Sequence, residues 1–193
     1  VQLCTFFQAT PKKTILLDEN GKSISATDFK KRIASPEHKY TFSRFENDTA
    51  VFAHVILRKQ TGFLSTEQRN KIADELYLIS GRKVNEKQVI IINFFTTQPI
   101  DTDHDINFYT IDGSYKRFFK QHPEHAQFFI TEKGFIYNKN FVFEDRNSII
   151  QDMLFKYLFL ESYIIIKPDG SFYRQVGEYR QDEIPEKIMS SQW

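Results

Sequence analysis

Apolar positions along this chain fall into two patterns. Three runs are almost unbroken: Ala50 to Leu57 (Ala-Val-Phe-Ala-His-Val-Ile-Leu), Val89 to Phe95 (Val-Ile-Ile-Ile-Asn-Phe-Phe), and Ile164-Ile165-Ile166. Continuous apolar runs bounded by polar residues predict strands buried on both faces. Between the first two, Ile72, Leu76 and Ile79 recur at helical spacing. They follow Ser65-Thr66-Glu67-Gln68, which has the form of a capping box, and precede Gly81, which closes the helix. Two buried strands joined through this helix predict a right-handed βαβ unit over residues 50–95.

Two hairpins stand out. From Tyr163 to Tyr179 the triple Ile meets Pro168-Asp169-Gly170, and an alternating run leaves it, with Phe172, Arg174 and Val176 set against Tyr173 and Gln175. The alternation predicts a strand wet on one face, and so a hairpin at the edge of a helix-covered sheet. Asn20-Gly21, between Ile15-Leu16-Leu17 and Lys22-Ser23-Ile24-Ser25, is the other, because both residues tolerate positive φ. Further helices are predicted from a Thr27 cap, with Phe29 and Ile33 on one face, to before Pro36; from Ser114, with Tyr115, Phe118 and Phe119, to Pro123; from an Asp145 or Asn147 cap through Ile149, Ile150, Met153, Leu154, Tyr157 and Leu158; and from Asp182, with Pro185 in its first turn and Ile184 and Ile188 facing inward. Residues 35–49 read as a long connection with a short extended piece, Arg58 to Gly62 as a polar loop, and Gln127 to Thr131 and Gly134 to Val142 as short β segments.

Composition narrows the function classes. The 193 residues carry 26 basic and 25 acidic side chains with the signs interspersed, so no field gathers nucleic acid or an anionic membrane surface. No run approaches the length of a membrane span. The 20 Phe and 9 Tyr sit mostly within apolar-periodic segments and read as core filling. A single cysteine, Cys4, excludes an intramolecular disulfide, a Cys-X-X-Cys pair and a thiolate-rich zinc site. Val1 to Ala9, followed by Thr10-Pro11-Lys12-Lys13, reads as the tail of a cleaved export signal, with Ala9 as the small residue before the cut. The expectation is therefore a signal remnant or disordered end at 1–13, one domain over 14–193, and an extracytoplasmic location.

The order of elements resembles the thioredoxin-like superfamily, in particular its exported thiol-disulfide oxidoreductases and peroxiredoxins. The residues that carry the resemblance are Leu17-Asp18-Glu19-Asn20-Gly21-Lys22-Ser23-Ile24-Ser25 with Phe29, and Ile164 to Tyr173 with Val176-Gly177. It implies an α/β fold, a central mixed sheet flanked by helices, with an N-terminal β-hairpin and a C-terminal β-hairpin plus helix. It also implies a reactive cysteine after the first buried strand and a cis-proline before the strand at Tyr163. The chain has Arg58-Lys59-Gln60-Thr61-Gly62 at the first of these positions and Leu160-Glu161-Ser162 at the second. No functional residue of the family carries over.

Other constellations are incomplete. Asp101, Asp103 and Asp105 alternate as in a calcium loop, with Asn107 and Asp112 further on, but Ile106 replaces the glycine expected at the sharp turn and Asp112 the bidentate Glu. A solvated acidic loop is the preferred reading. His122-Pro123-Glu124-His125 places two histidines around a helix-ending proline, off any shared helical face, so they read as favourable charges near a helix end, and His104 has no visible link to them. Arg58-Lys59 reads as solvated. No nucleophile elbow, phosphate loop or dinucleotide glycine pattern is present. No catalytic, cofactor or metal residue is assigned. The sequence points to a redox-inactive binding or interaction module for an unknown protein or small-molecule partner; the alternative is a metal-dependent enzyme using Asp101 to Asp105.

Overall fold

A computed structural model of the protein describes residues 12–97, 102–157, 159 and 161–190, the side chains of 102–105 excepted. The chain forms two compact units, residues 1–57 and 58–193. In the first, β1 (Lys13–Leu17), β3 (Ala50–Leu57) and β2 (Tyr40–Glu46) make a sheet in that spatial order, β1 parallel and β2 antiparallel to the central β3. The Asn20-Gly21 turn forms with Gly21 at φ +78°, and its hairpin closes on the Leu17–Ser23 bridge without growing further. Helix α1 (Ala26–Ile33) begins one residue before the expected cap: Ser25 Oγ accepts from Asp28 N at 3.0 Å. The stretch expected as a connection contains all seven residues of β2.

The second unit holds a six-stranded sheet in the order β4-β9-β8-β5-β6-β7: Lys59–Phe63, Ser171–Val176, Glu161–Ile166, Val89–Phe95, His125–Thr131 and Val142–Glu144. β5, β6 and β7 run parallel, while β8 is antiparallel to β5 and to β9, and β9 to β4. Side chains alternate across this sheet as the pleat requires. Ile90, Ile92, Phe94, Ile164 and Ile166 face one layer, formed by α2 (Thr66–Ser80) and α5 (Ile149–Leu154). Ile91, Phe95, Tyr163, Ile165 and Tyr173 face the other, formed by α3 (Thr102–Ile111), α4 (Gly113–Gln121) and α6 (Glu183–Met189). The continuous apolar runs of β5 and β8 follow from having helices on both faces.

Local signals explain the well-formed elements. Ser65 and Gln68 make the reciprocal capping box of α2, worth about 1 kcal/mol. Gly81 ends the helix in the left-handed conformation at φ +69°. Arg69, almost fully buried, donates to Gln88 O at 2.7 Å and Lys167 O at 3.2 Å, fastening α2 to the β8–β9 turn. That turn needs Gly170: φ is +91°, and a Cβ would stand 2.2 Å from Leu64 O.

Several expectations are corrected. β3 and β5 lie in different sheets, so the βαβ unit is not 50–95; it is β5, α3, α4, β6. The Tyr163 hairpin is interior, because β4, formed from the supposed polar loop at Arg58 to Gly62, pairs with β9 and takes the edge. Edge strands need no apolar pattern, and β4 has none. Helix α4 is capped by Asp112, not Ser114, and α5 begins after Ser148, whose φ is +55°. From Thr102 the acidic segment is helical, not the expected loop; Cys4, Val1 to Ala9 and Asp101 lie outside the described residues.

Candidate functional site

The unit that begins at Arg58 defines the class. Its βαβ unit, the crossing α5, the β8–β9 hairpin and the closing α6 are the arrangement of a thioredoxin-like fold, with β5 as the first strand of the core. The stretch in which that family keeps its cysteines is therefore the one that follows β5, not the segment after β3. It reads Thr96-Thr97-Gln98-Pro99-Ile100-Asp101 and holds no thiol. Thr96 Oγ1 donates to Phe159 O at 2.7 Å, and Thr97 donates through N and Oγ1 to Glu132. This is a thioredoxin-like fold without a redox dithiol, and no cis peptide occurs among the described residues.

The first candidate site lies at the carboxyl end of β5, where Glu161 of β8 faces Phe95. A cleft of about 870 Å³ opens there between the end of α3, the start of β8 and the β9–α6 segment. Phe108 and Ile111 are exposed on its wall, at 66% and 61%. Its charged groups are Asp112, Glu161, Glu178, Arg180 and Asp182. Arg180 Nη2 donates to Asp182 Oδ2 at 2.5 Å and holds that carboxyl below its usual range, while Asp112 pushes it the other way. Hydrogen bonds from Ser114 pull the Asp112 carboxyl below its usual range. The floor is fixed: Tyr179 accepts from Asn93 Nδ2, its carbonyl accepts from Tyr109 OH at 3.0 Å, and Gln181 Nε2 donates to Tyr109 O at 2.9 Å. Apart from Asp112, none of these residues was a candidate site residue from the sequence, because the cleft is assembled by segments far apart in the chain.

The second lies at the opposite end of the sheet, where Val89 opens β5 beside His125 of β6. The α4–β6 connection is a β-turn with His122 and His125 at its ends, closed by His125 N donating to His122 O at 3.0 Å, and with Pro123 at the position that suits proline. The turn folds His122, Glu124 and His125 onto one another: Nδ1 of His122 is 3.0 Å, and Nε2 of His125 3.7 Å, from Glu124 Oε1. Possible metal donors of the three side chains all lie within 4.8 Å. Phe118 packs against both imidazoles, at 4.4 Å and 6.0 Å between centroids. Burial pushes the His125 pKa down against the pull of Glu124. The expectation of unrelated helix-end histidines is thus replaced by one compact cluster, and His104 lies outside the described side chains. Arg58 and Lys59 contribute to β4 and its approach and to neither site.

No protein-family model matches the sequence, and no curated protein matches it. Solved structures that resemble the chain include the N-terminal domain of PilB from Neisseria gonorrhoeae, with 11% identity over 63% of this chain and 93% of that one and a TM-score of 0.46. A second is a secreted Mycobacterium tuberculosis disulfide oxidoreductase homologous to Escherichia coli DsbE, with 16% identity over 53% and 81% and a TM-score of 0.38. A third is the reduced N-terminal domain of PilB from Neisseria meningitidis, with 12% identity over 59% and 93% and a TM-score of 0.36. The class of the fold rests on the strand order and not on these similarities. No helix among the described residues is long and apolar enough to cross a membrane.

Proposed function

We propose that this chain is a thioredoxin-like domain whose work depends on a bound metal ion and not on thiols. The observation that supports it is the convergence of His122, Glu124 and His125, the one such group found among the described residues. The donors are not the Asp101 to Asp105 suggested by the sequence, of whose side chains the structure describes none. Calorimetric titration of the full chain with calcium, magnesium, manganese and zinc tests the reading: one saturable site is expected, and no binding of any of the four would end it.

A second reading, an interaction module, is favoured by the cleft beside Glu161. Ligands of open α/β sheets gather outside the carboxyl ends of the strands, and the exposed Phe108 and Ile111 give this cleft an apolar wall. Titrating isotope-labelled protein with short peptides while following its amide resonances separates the readings. Shifts confined to Phe108, Ile111 and Glu178 to Asp182 support the module, and unperturbed resonances there oppose it. The extracytoplasmic location belongs to this proposal and is checked by fractionating cells that express the full gene.

A further inference from the structure

The turn between α4 and β6 holds the most specific chemistry that the fold leaves unused. We infer that His122 Nδ1, Glu124 Oε1 and His125 Nε2 form a three-donor site for a borderline transition-metal dication, zinc foremost, with its fourth position open to water. The inference rests on the metal-dependent reading above and names its donors and its metal class.

The donor set selects the metal. Two imidazoles and one carboxylate suit zinc, copper(II) or nickel(II), whereas calcium and magnesium take oxygen throughout. The spacing selects the geometry. Metal–ligand bonds of about 2.0–2.1 Å in a tetrahedron place neighbouring donors about 3.3–3.4 Å apart. The two measured separations, 3.0 Å and 3.7 Å, lie on either side of that value. A donor nitrogen of His122 and one of His125 lie within 4.8 Å of each other, and His122 and Glu124, whose side chains are 32% and 57% exposed, have room to turn toward an ion.

Preorganisation comes from the surroundings. His125 is fixed by burial, its side chain 9% exposed, and the turn sets His122 opposite it. With Phe118 against both, the imidazole rings lie 5.8 Å apart and 23° from parallel, flanking the carboxylate. The exposed side of Glu124 leaves the remaining position to solvent, the pattern of zinc sites that keep a water. One feature limits the affinity: His125 Nδ1 is buried without a hydrogen-bond partner. An acceptor on that far ring nitrogen would orient the imidazole and is worth about 10–100-fold in metal affinity, so binding weaker by about that factor than at a fully supported site follows.

The test uses the untagged full chain, titrated with ZnCl2 by calorimetry and with CoCl2 by visible absorption. One zinc per chain and the d–d bands of tetrahedral cobalt are expected, with no heat from CaCl2 or MgCl2. His122→Ala and Glu124→Gln lie at partly exposed positions; with circular dichroism unchanged, each should weaken zinc binding at least tenfold. Absence of saturable zinc and cobalt binding overturns the site, and the metal-dependent reading falls with it only if calcium, magnesium and manganese also fail to bind. Zinc binding unchanged in both variants overturns the site alone, and its loss in Asp103→Ala would then move the metal to the acidic segment.

Discussion

Asn93 and Tyr179, 86 positions apart, are joined by a buried 2.7 Å hydrogen bond from the amide Nδ2 to the phenol oxygen. The same amide accepts through Oδ1 from Tyr115 OH at 2.9 Å and Gln127 Nε2 at 3.0 Å. One fully buried side chain on β5 thus binds α4, β6 and the segment that floors the cleft. Asn93→Ala leaves several buried polar groups without partners, at about 1–3 kcal/mol each. A stability loss of about 3 kcal/mol or more by urea denaturation is expected. A loss below about 1 kcal/mol would mean that water restores the network.

Gly170 supplies a sharper steric test. Its φ of +91°, and the 2.2 Å that would separate an added Cβ from Leu64 O, leave no room for a side chain. Gly170→Ala should therefore destabilise well beyond the ~1 kcal/mol scale of Gly→Ala changes at compatible sites. Gly21→Ala, also at positive φ but with nothing within 4 Å, should cost less. Equal losses in denaturant midpoint would contradict the close packing of the β8–β9 turn on Leu64.

Asp145 gives the stability a defined pH dependence. Burial, aided by the nearby Glu75, raises its carboxyl above the ordinary value of 3.8, although Gln151 N donates to it at 2.8 Å. A raised acid pKa means that the folded state holds the proton more tightly than the unfolded one. Its contribution is fully present below the unfolded pKa and is lost as pH rises through the folded one. Asp145→Asn keeps an acceptor for Gln151 and should remove this fall. Denaturation at a series of pH values from about 4 upward checks it, and an identical slope in the variant would refute the assignment.

Thiol chemistry supplies a negative control. With Cys4 the only cysteine, the protein should not accelerate reduction of a disulfide substrate by dithiothreitol, and Cys4→Ser should behave as the unmodified chain does. Turnover that disappears in Cys4→Ser would restore a thiol mechanism.

What the sequence made legible was local. The capping box at Ser65, the turn at Pro168-Asp169-Gly170 and the runs of β3, β5 and β8 each report on a few neighbouring residues, and each formed where expected. Partner choice was not legible. An apolar run says that a strand is buried without saying beside which strand, so β3 is expected in one sheet with β5, whereas it lies between β1 and β2 in the other. β4 was invisible because an edge strand with mostly exposed side chains carries no periodicity. For His122 and His125, the helix-ending proline between them was read as taking the two imidazoles off any shared face. The missed signal was Pro123 in second place of a four-residue turn, which returns the chain and brings its ends together.

What would set this domain apart is a metal held at the α4–β6 turn of a thioredoxin-like scaffold that has no redox dithiol. X-ray absorption at the zinc edge of the loaded full chain reads the donor set directly. Four nitrogen and oxygen neighbours at about 2.0–2.1 Å are expected, with outer-shell scattering from two imidazoles and no sulfur. A sulfur shell, or an all-oxygen shell without imidazole, would contradict the assignment of His122, Glu124 and His125 as the donors.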